Sequence, residues 1–76
     1  MSAWVPINDY PGDQRFDAVP GTPEMSYWGE IGPASDGRWS WTIISTDDWA
    51  NQAEVDGGVV DCEEDAKRAV EAWRPR

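Results

Sequence analysis

A chain of 76 residues has room for one domain and one small core, because a domain this short buries only about 60% of the surface its unfolded form exposes. Its one cysteine, Cys62, excludes an internal disulfide framework, and with no histidine the usual nitrogen and sulfur ligands of zinc cannot be assembled. A formal net charge of −9 argues against direct binding to a nucleic-acid backbone, which needs a basic surface.

The first 26 residues form a Pro/Gly-rich stretch, with Pro6, Pro11, Pro20 and Pro23 beside Gly12 and Gly21. No long regular element fits there, and Asp9-Tyr10-Pro11-Gly12-Asp13 is a turn signature in which proline presets one torsion and glycine tolerates the next. Trp4, Val5, Ile7, Tyr10, Phe16, Val19 and Met25 make the stretch too apolar for a disordered linker. The expectation is an irregular arm packed along the domain, with short extended pieces near Trp4 to Ile7 and Phe16 to Val19. An arm that orders only on a partner is the rival reading.

Residues 27–60 read as antiparallel strands. Ser26 to Ile31 is aromatic and branched enough for a first strand, ended by Gly32-Pro33, and Asp36-Gly37 then signals a hairpin turn. Arg38 to Ser45 has the clearest period-2 pattern in the chain: Trp39, Trp41 and Ile43 fall on one face, Arg38, Ser40, Thr42 and Ile44 on the other. A polar connection from Thr46 to Asn51 follows. Ala53, Val55, Val59 and Val60 suggest a third strand, with Gly57-Gly58 marking a bulge or twist in it.

Residues 61–74 read as a helix. Asp61 and Glu64 resemble a capping box, and helical spacing puts Cys62, Ala66, Ala69, Val70 and Trp73 on one stripe that should face the sheet. Glu63, Glu64 and Asp65 in the first turn, and Arg74 and Arg76 near the end, suit the helix dipole, and Pro75 closes the segment. The fold class expected is α+β: a small antiparallel sheet of three or four strands with one C-terminal helix packed on one face.

Trp39, Trp41 and Ile43, followed by Glu63, Glu64, Ala66, Lys67, Ala69 and Glu71, carry a resemblance. The segment is similar to small proteins of phages and actinobacteria in which Trp-x-Trp-x-Ile precedes a short strand and a Glu-Glu-x-Ala-Lys-x-Ala-x-Glu helix. The resemblance spans roughly residues 38–73 and implies a strand, strand, helix unit. It implies no activity.

No catalytic constellation emerges. Cys62 has no histidine to serve as its base and is flanked by Asp61, Glu63 and Glu64, so a small buried core residue is the expectation. Serine nucleophiles lack a partner base, and no Gly-rich phosphate loop precedes a helix. Asp47 and Asp48, with Glu54 and Asp56 downstream, do not follow the spacing of a calcium loop. The chain is therefore read as a non-enzyme without a cofactor, and divalent-metal binding near Asp47 and Asp48 is kept as an alternative.

Charge and tryptophan carry what functional content there is. Residues 1–66 hold fourteen of the fifteen acids against only Arg15 and Arg38. Glu30, Asp36, Asp47, Asp48, Glu54, Asp56, Asp61, Glu63, Glu64 and Asp65 come from adjoining elements, so several could converge on one side toward a basic partner; an acidic surface kept for solubility is the rival reading. Six tryptophans exceed what one sheet face and one helix stripe can bury, so one or two are left over, with Trp28 and Trp49 the candidates: either they are exposed contacts or the N-terminal arm folds over them. The reading is an acidic, cytoplasmic, protein-binding inhibitor or adaptor of phage type. It would block the basic site of a nucleic-acid-handling protein as a DNA mimic, in the manner of anti-CRISPR or anti-restriction proteins. A homo-oligomeric assembly protein is the other alternative. No secretory or membrane-spanning segment is evident, and monomer and homodimer both stay open.

Overall fold

A computed structural model describes residues 4–7, 12–47, 49 and 51–75. Five strands, β1 (Trp4–Pro6), β2 (Gln14–Phe16), β3 (Ser26–Pro33), β4 (Trp39–Thr46) and β5 (Gln52–Val60), form one sheet in the order of the chain. Every neighbouring pair is antiparallel, and the helix α1 (Glu63–Ala72) lies across one face. The α+β class and the single C-terminal helix agree with expectation. The strand number does not: the N-terminal arm supplies two strands rather than an irregular strap.

Those two strands are three residues each, too short for a periodic signal, and their pairing comes from tertiary contact. Trp4 stacks on its cross-strand partner Phe16 with centroids 5.0 Å apart, and Lys67 of α1 lies 5.8 Å from the Trp4 ring. Val19, beyond β2, is buried in the main core. The described part of the arm is thus packed, as expected. Of the turn signature, Asp9, Tyr10 and Pro11 lie outside the described residues.

Period-2 alternation in β4 decides the layering. Trp39, Trp41, Ile43 and Ser45 face α1, and Ile43 is fully buried. Register then puts Tyr27, Gly29 and Ile31 of β3 and Gln14 and Phe16 of β2 on the same face. Ala66 and Val70 of the helix stripe enter this core with no exposure, while Trp39, Trp41 and Trp73 pack around it partly buried. Gly29 has a packing reason: a β-carbon there would collide with the side chain of Val70. Helix and sheet can approach this closely only because that position carries no side chain.

The β3–β4 turn forms as Asp36-Gly37 predicts, with Asp36 at φ 60° and Gly37 at φ 75°. Aspartate and glycine are among the few residues that tolerate the left-handed region. Strand β3 runs on to Pro33 instead of ending at Ile31, since Gly32 and Pro33 keep their register with Ser40 and Trp39. In β5 the bulge falls at Val55 and not at Gly57-Gly58 as expected: Ile43 pairs with Asp56 and Ile44 with Glu54, leaving Val55 unopposed, while Gly57 and Gly58 keep their register with Thr42 and Trp41.

Two expectations at the helix start are corrected. The helix begins at Glu63 and ends at Ala72, and its N-cap is Cys62 with no side-chain cap bond, so Asp61 does not make a capping box. Cys62 is exposed, because a cap residue in extended conformation stands outside the helical stripe. At the other end Trp73 is already extended, and Arg74 Nη1 donates to the carbonyls of Glu71 and Trp73. Among the described residues no helix is long and apolar enough to cross a membrane.

Candidate functional site

The described acids do not gather on one face. Asp36, in the β3–β4 turn, and Glu63 and Glu64, at the start of α1, belong to one end of the sheet. Asp47 and Trp49 belong to the other end, across the length of β4, roughly 25 Å at the usual rise per residue. Glu30 and Glu54 lie on the face away from the helix, and Asp56 lies on the helix face. Asp48 is outside the described residues. A single acidic side is thus not formed: the acids divide between the two ends of the sheet, and the bulge at Val55 puts Glu54 and Asp56, two residues apart, on opposite faces.

Several of them have structural partners. Glu63 Oε1 accepts a 2.6 Å bond from Gln14 Nε2, pinning α1 to β2. Glu30 Oε2 accepts from Trp28 Nε1 at 2.9 Å, while the Arg15 guanidinium stands 4.4 Å above the Trp28 ring. Trp28 is only 8% exposed, so for this residue the exposed-contact reading is corrected and coverage by the N-terminal arm, through Arg15, is what occurs. The sheet face opposite the helix has its own small layer, in which Arg15 of β2 covers the indole with its stem and charge.

Trp49 is the opposite case. It is 85% exposed, in the connection between β4 and β5, as expected. Asp47 shapes that connection: Oδ1 accepts from the backbone N–H of Trp49 at 2.9 Å and of Asn51 at 3.0 Å, and Oδ2 from the Asn51 side-chain amide at 3.2 Å. The Asp47 N–H in turn donates to the Asn51 carbonyl at 3.3 Å. Bonds from Asn51, backbone first and then side chain, hold the Asp47 carboxyl below its ordinary value, outweighing a desolvation effect in the other direction. One aspartate thus fixes the backbone that carries an exposed indole.

Toward the same end, beside the bulge, a cleft of about 330 Å³ is lined by Tyr27, Val55, Asp56 and Trp73. Tyr27 and Trp73 meet at 5.0 Å with a 56° tilt. Asp56 stands between helix and sheet: its Oδ2 accepts from Trp73 Nε1 at 3.0 Å and its Oδ1 from the Gly57 N–H at 2.9 Å. Val55, pushed out by the bulge, is half exposed at the rim. Helical spacing places Trp73 in the core stripe, and the sequence does not single out Tyr27. The available signal was that an indole at the end of a helix stripe needs an acceptor for its N–H.

Among the described residues no three acidic or thiol side chains converge to hold a metal ion. No family model, curated protein or solved structure matches the chain. The site therefore rests on its own geometry: an exposed Trp49 whose N–H is held by Asp47, and an aromatic cleft with a carboxylate in its wall.

Proposed function

We propose that this protein is a non-catalytic, acidic binding protein that docks on a basic protein surface through the β4–β5 end. The observation that carries the reading is Trp49, a large indole left in solvent whose backbone N–H is held by Asp47. Exposed tryptophan is a common energetic centre of interfaces, and a backbone already held by hydrogen bonds loses less entropy on docking. Excess negative charge steers a basic partner and speeds its encounter.

The partner class follows from charge. A surface that normally binds nucleic acid is basic and attracts carboxylates, so the proposed role is inhibition or adaptation of a nucleic-acid-handling protein, as a DNA mimic of anti-CRISPR or anti-restriction type. Phage origin fits this role and the resemblance of the Trp39 to Glu71 segment. Since the acids occupy both ends and both faces, the mimicry is confined to the Trp49 end with Asp47 and Asp56. The test is capture of the partner from lysate of the source or host cell, followed by competition with duplex DNA. Mutual exclusion of DNA and this protein is expected; a partner that binds DNA normally when saturated with this protein removes the mimicry.

A second reading has its own observation. Strand β5 is a nine-residue edge with Val55 and Val59 half exposed, and such an edge can pair with another strand. Light scattering separates this assembly reading, since a monomer at all concentrations eliminates it.

A further inference from the structure

We infer that the cleft between Tyr27, Trp73 and Asp56 is a recognition site for an arginine side chain of the partner protein, an inference that rests on the proposed binding role and names its chemistry. Three features of the cleft select a cation. Its walls include two aromatic rings, whose faces attract positive charge. Its charged group is the carboxylate of Asp56, which has no ion pair among the described residues; the two bridges there are Arg15–Asp17 and Arg68–Asp65. The nearest cation in sequence to Trp73, Arg74, is turned to the carbonyls of Glu71 and Trp73.

The carboxylate geometry selects a guanidinium over an ammonium. An ionised carboxylate has about four acceptor positions, two per oxygen. The Gly57 N–H occupies one on Oδ1 and the Trp73 indole N–H one on Oδ2, so each oxygen keeps one. A pair of acceptors spaced as the two oxygens of one carboxylate matches the parallel N–H groups of arginine, a fork that lysine lacks. The two bonds already present also lock the carboxylate in place, so little ordering is needed on binding. A planar guanidinium can stack on Trp73 or Tyr27 while it pairs with Asp56. Val55, unopposed at the bulge, supplies apolar contact for the stem.

The experiment is an NMR titration of the full chain, at about 150 mM salt to screen the general acidity. The probes are the capped tripeptides acetyl-Gly-Arg-Gly-amide and acetyl-Gly-Lys-Gly-amide, and the readout is the indole N–H resonance of Trp73. The arginine peptide is expected to shift that resonance saturably and to bind several-fold tighter than the lysine peptide. Asp56→Asn should weaken it about tenfold. Val55→Phe, which fills the cleft from its rim and touches no hydrogen bond, should weaken it comparably and serves if Asp56→Asn unfolds. Equal affinity for the two peptides, or shifts spread over the acidic residues and indifferent to Val55→Phe, would overturn the assignment. The outcome is separable from the DNA competition: arginine in the cleft with no DNA exclusion would retain this site and reject mimicry, and exclusion without arginine binding would do the reverse.

Discussion

The indole N–H of Trp73 donates to Asp56 Oδ2 at 3.0 Å, joining the residue just past the helix to the edge strand just past its bulge. This bond fixes both walls of the cleft at once, and it links residues 17 positions apart. Trp73→Phe keeps an aromatic ring, deletes the donor and loses part of the packing area of the indole. The expected cost is about 1 to 2 kcal/mol, as for a bond to a charged acceptor that is partly solvated. Urea denaturation checks it: the midpoint should fall with the slope unchanged.

Gly29→Ala tests the closeness of helix and sheet. The added methyl meets Val70, which is fully buried and has no room to withdraw. Overpacking of this kind costs about 1 to 3 kcal/mol, more than the few tenths to 1 kcal/mol gained by restricting the unfolded chain. The double variant Gly29→Ala with Val70→Ala should recover part of the loss, measurable as a coupling in a double-mutant cycle.

Asp47 should give the β4–β5 turn an acid-sensitive contribution to stability. Its folded-state pKa lies below the ordinary value of 3.8, so the contribution is complete above that value and is lost as pH falls through the lowered folded value. Asp47→Ala should remove this part of the acid dependence and accelerate amide exchange at Trp49 and Asn51, with little change in the exchange of β3 and β4. An unaltered acid limb in the variant would show that the Asn51 bonds do not order the turn.

Cys62, being exposed at the helix N-cap, should react with iodoacetamide in the folded protein at a rate close to that in denaturant. Strong protection in the folded state would mean that it sits in the core after all.

The elements that were legible in the sequence are those whose signal is local. Trp39, Trp41 and Ile43 alternate, Ala66, Ala69, Val70 and Trp73 recur at helical spacing, and Asp36-Gly37 suits only a few turns. What stayed hidden was set by distant partners. Strands β1 and β2 have three residues each and are defined by Trp4 on Phe16 and by register with β3. Trp28 has as strong an aromatic signal as Trp49, yet it is buried, because Arg15 from another strand covers it and Glu30 accepts its N–H. Asp61 has the better capping side chain, but the chain turns into the helix one residue later. Of the candidate site, Trp49 and Asp56 were legible as residues; the cleft was not, since the bulge at Val55 brings Tyr27, Asp56 and Trp73 together across three elements.

The central claim is that Trp49 anchors a basic partner, and its most direct test is the equilibrium affinity of the captured partner for the wild-type protein and for Trp49→Ala. The side chain is 85% exposed, so its removal should leave folding stability within about 0.5 kcal/mol. Binding should weaken by about 30-fold or more, the loss typical of an interface centre worth 2 kcal/mol. A variant that remains folded and binds within about threefold of wild type, a difference below 1 kcal/mol, would contradict the account.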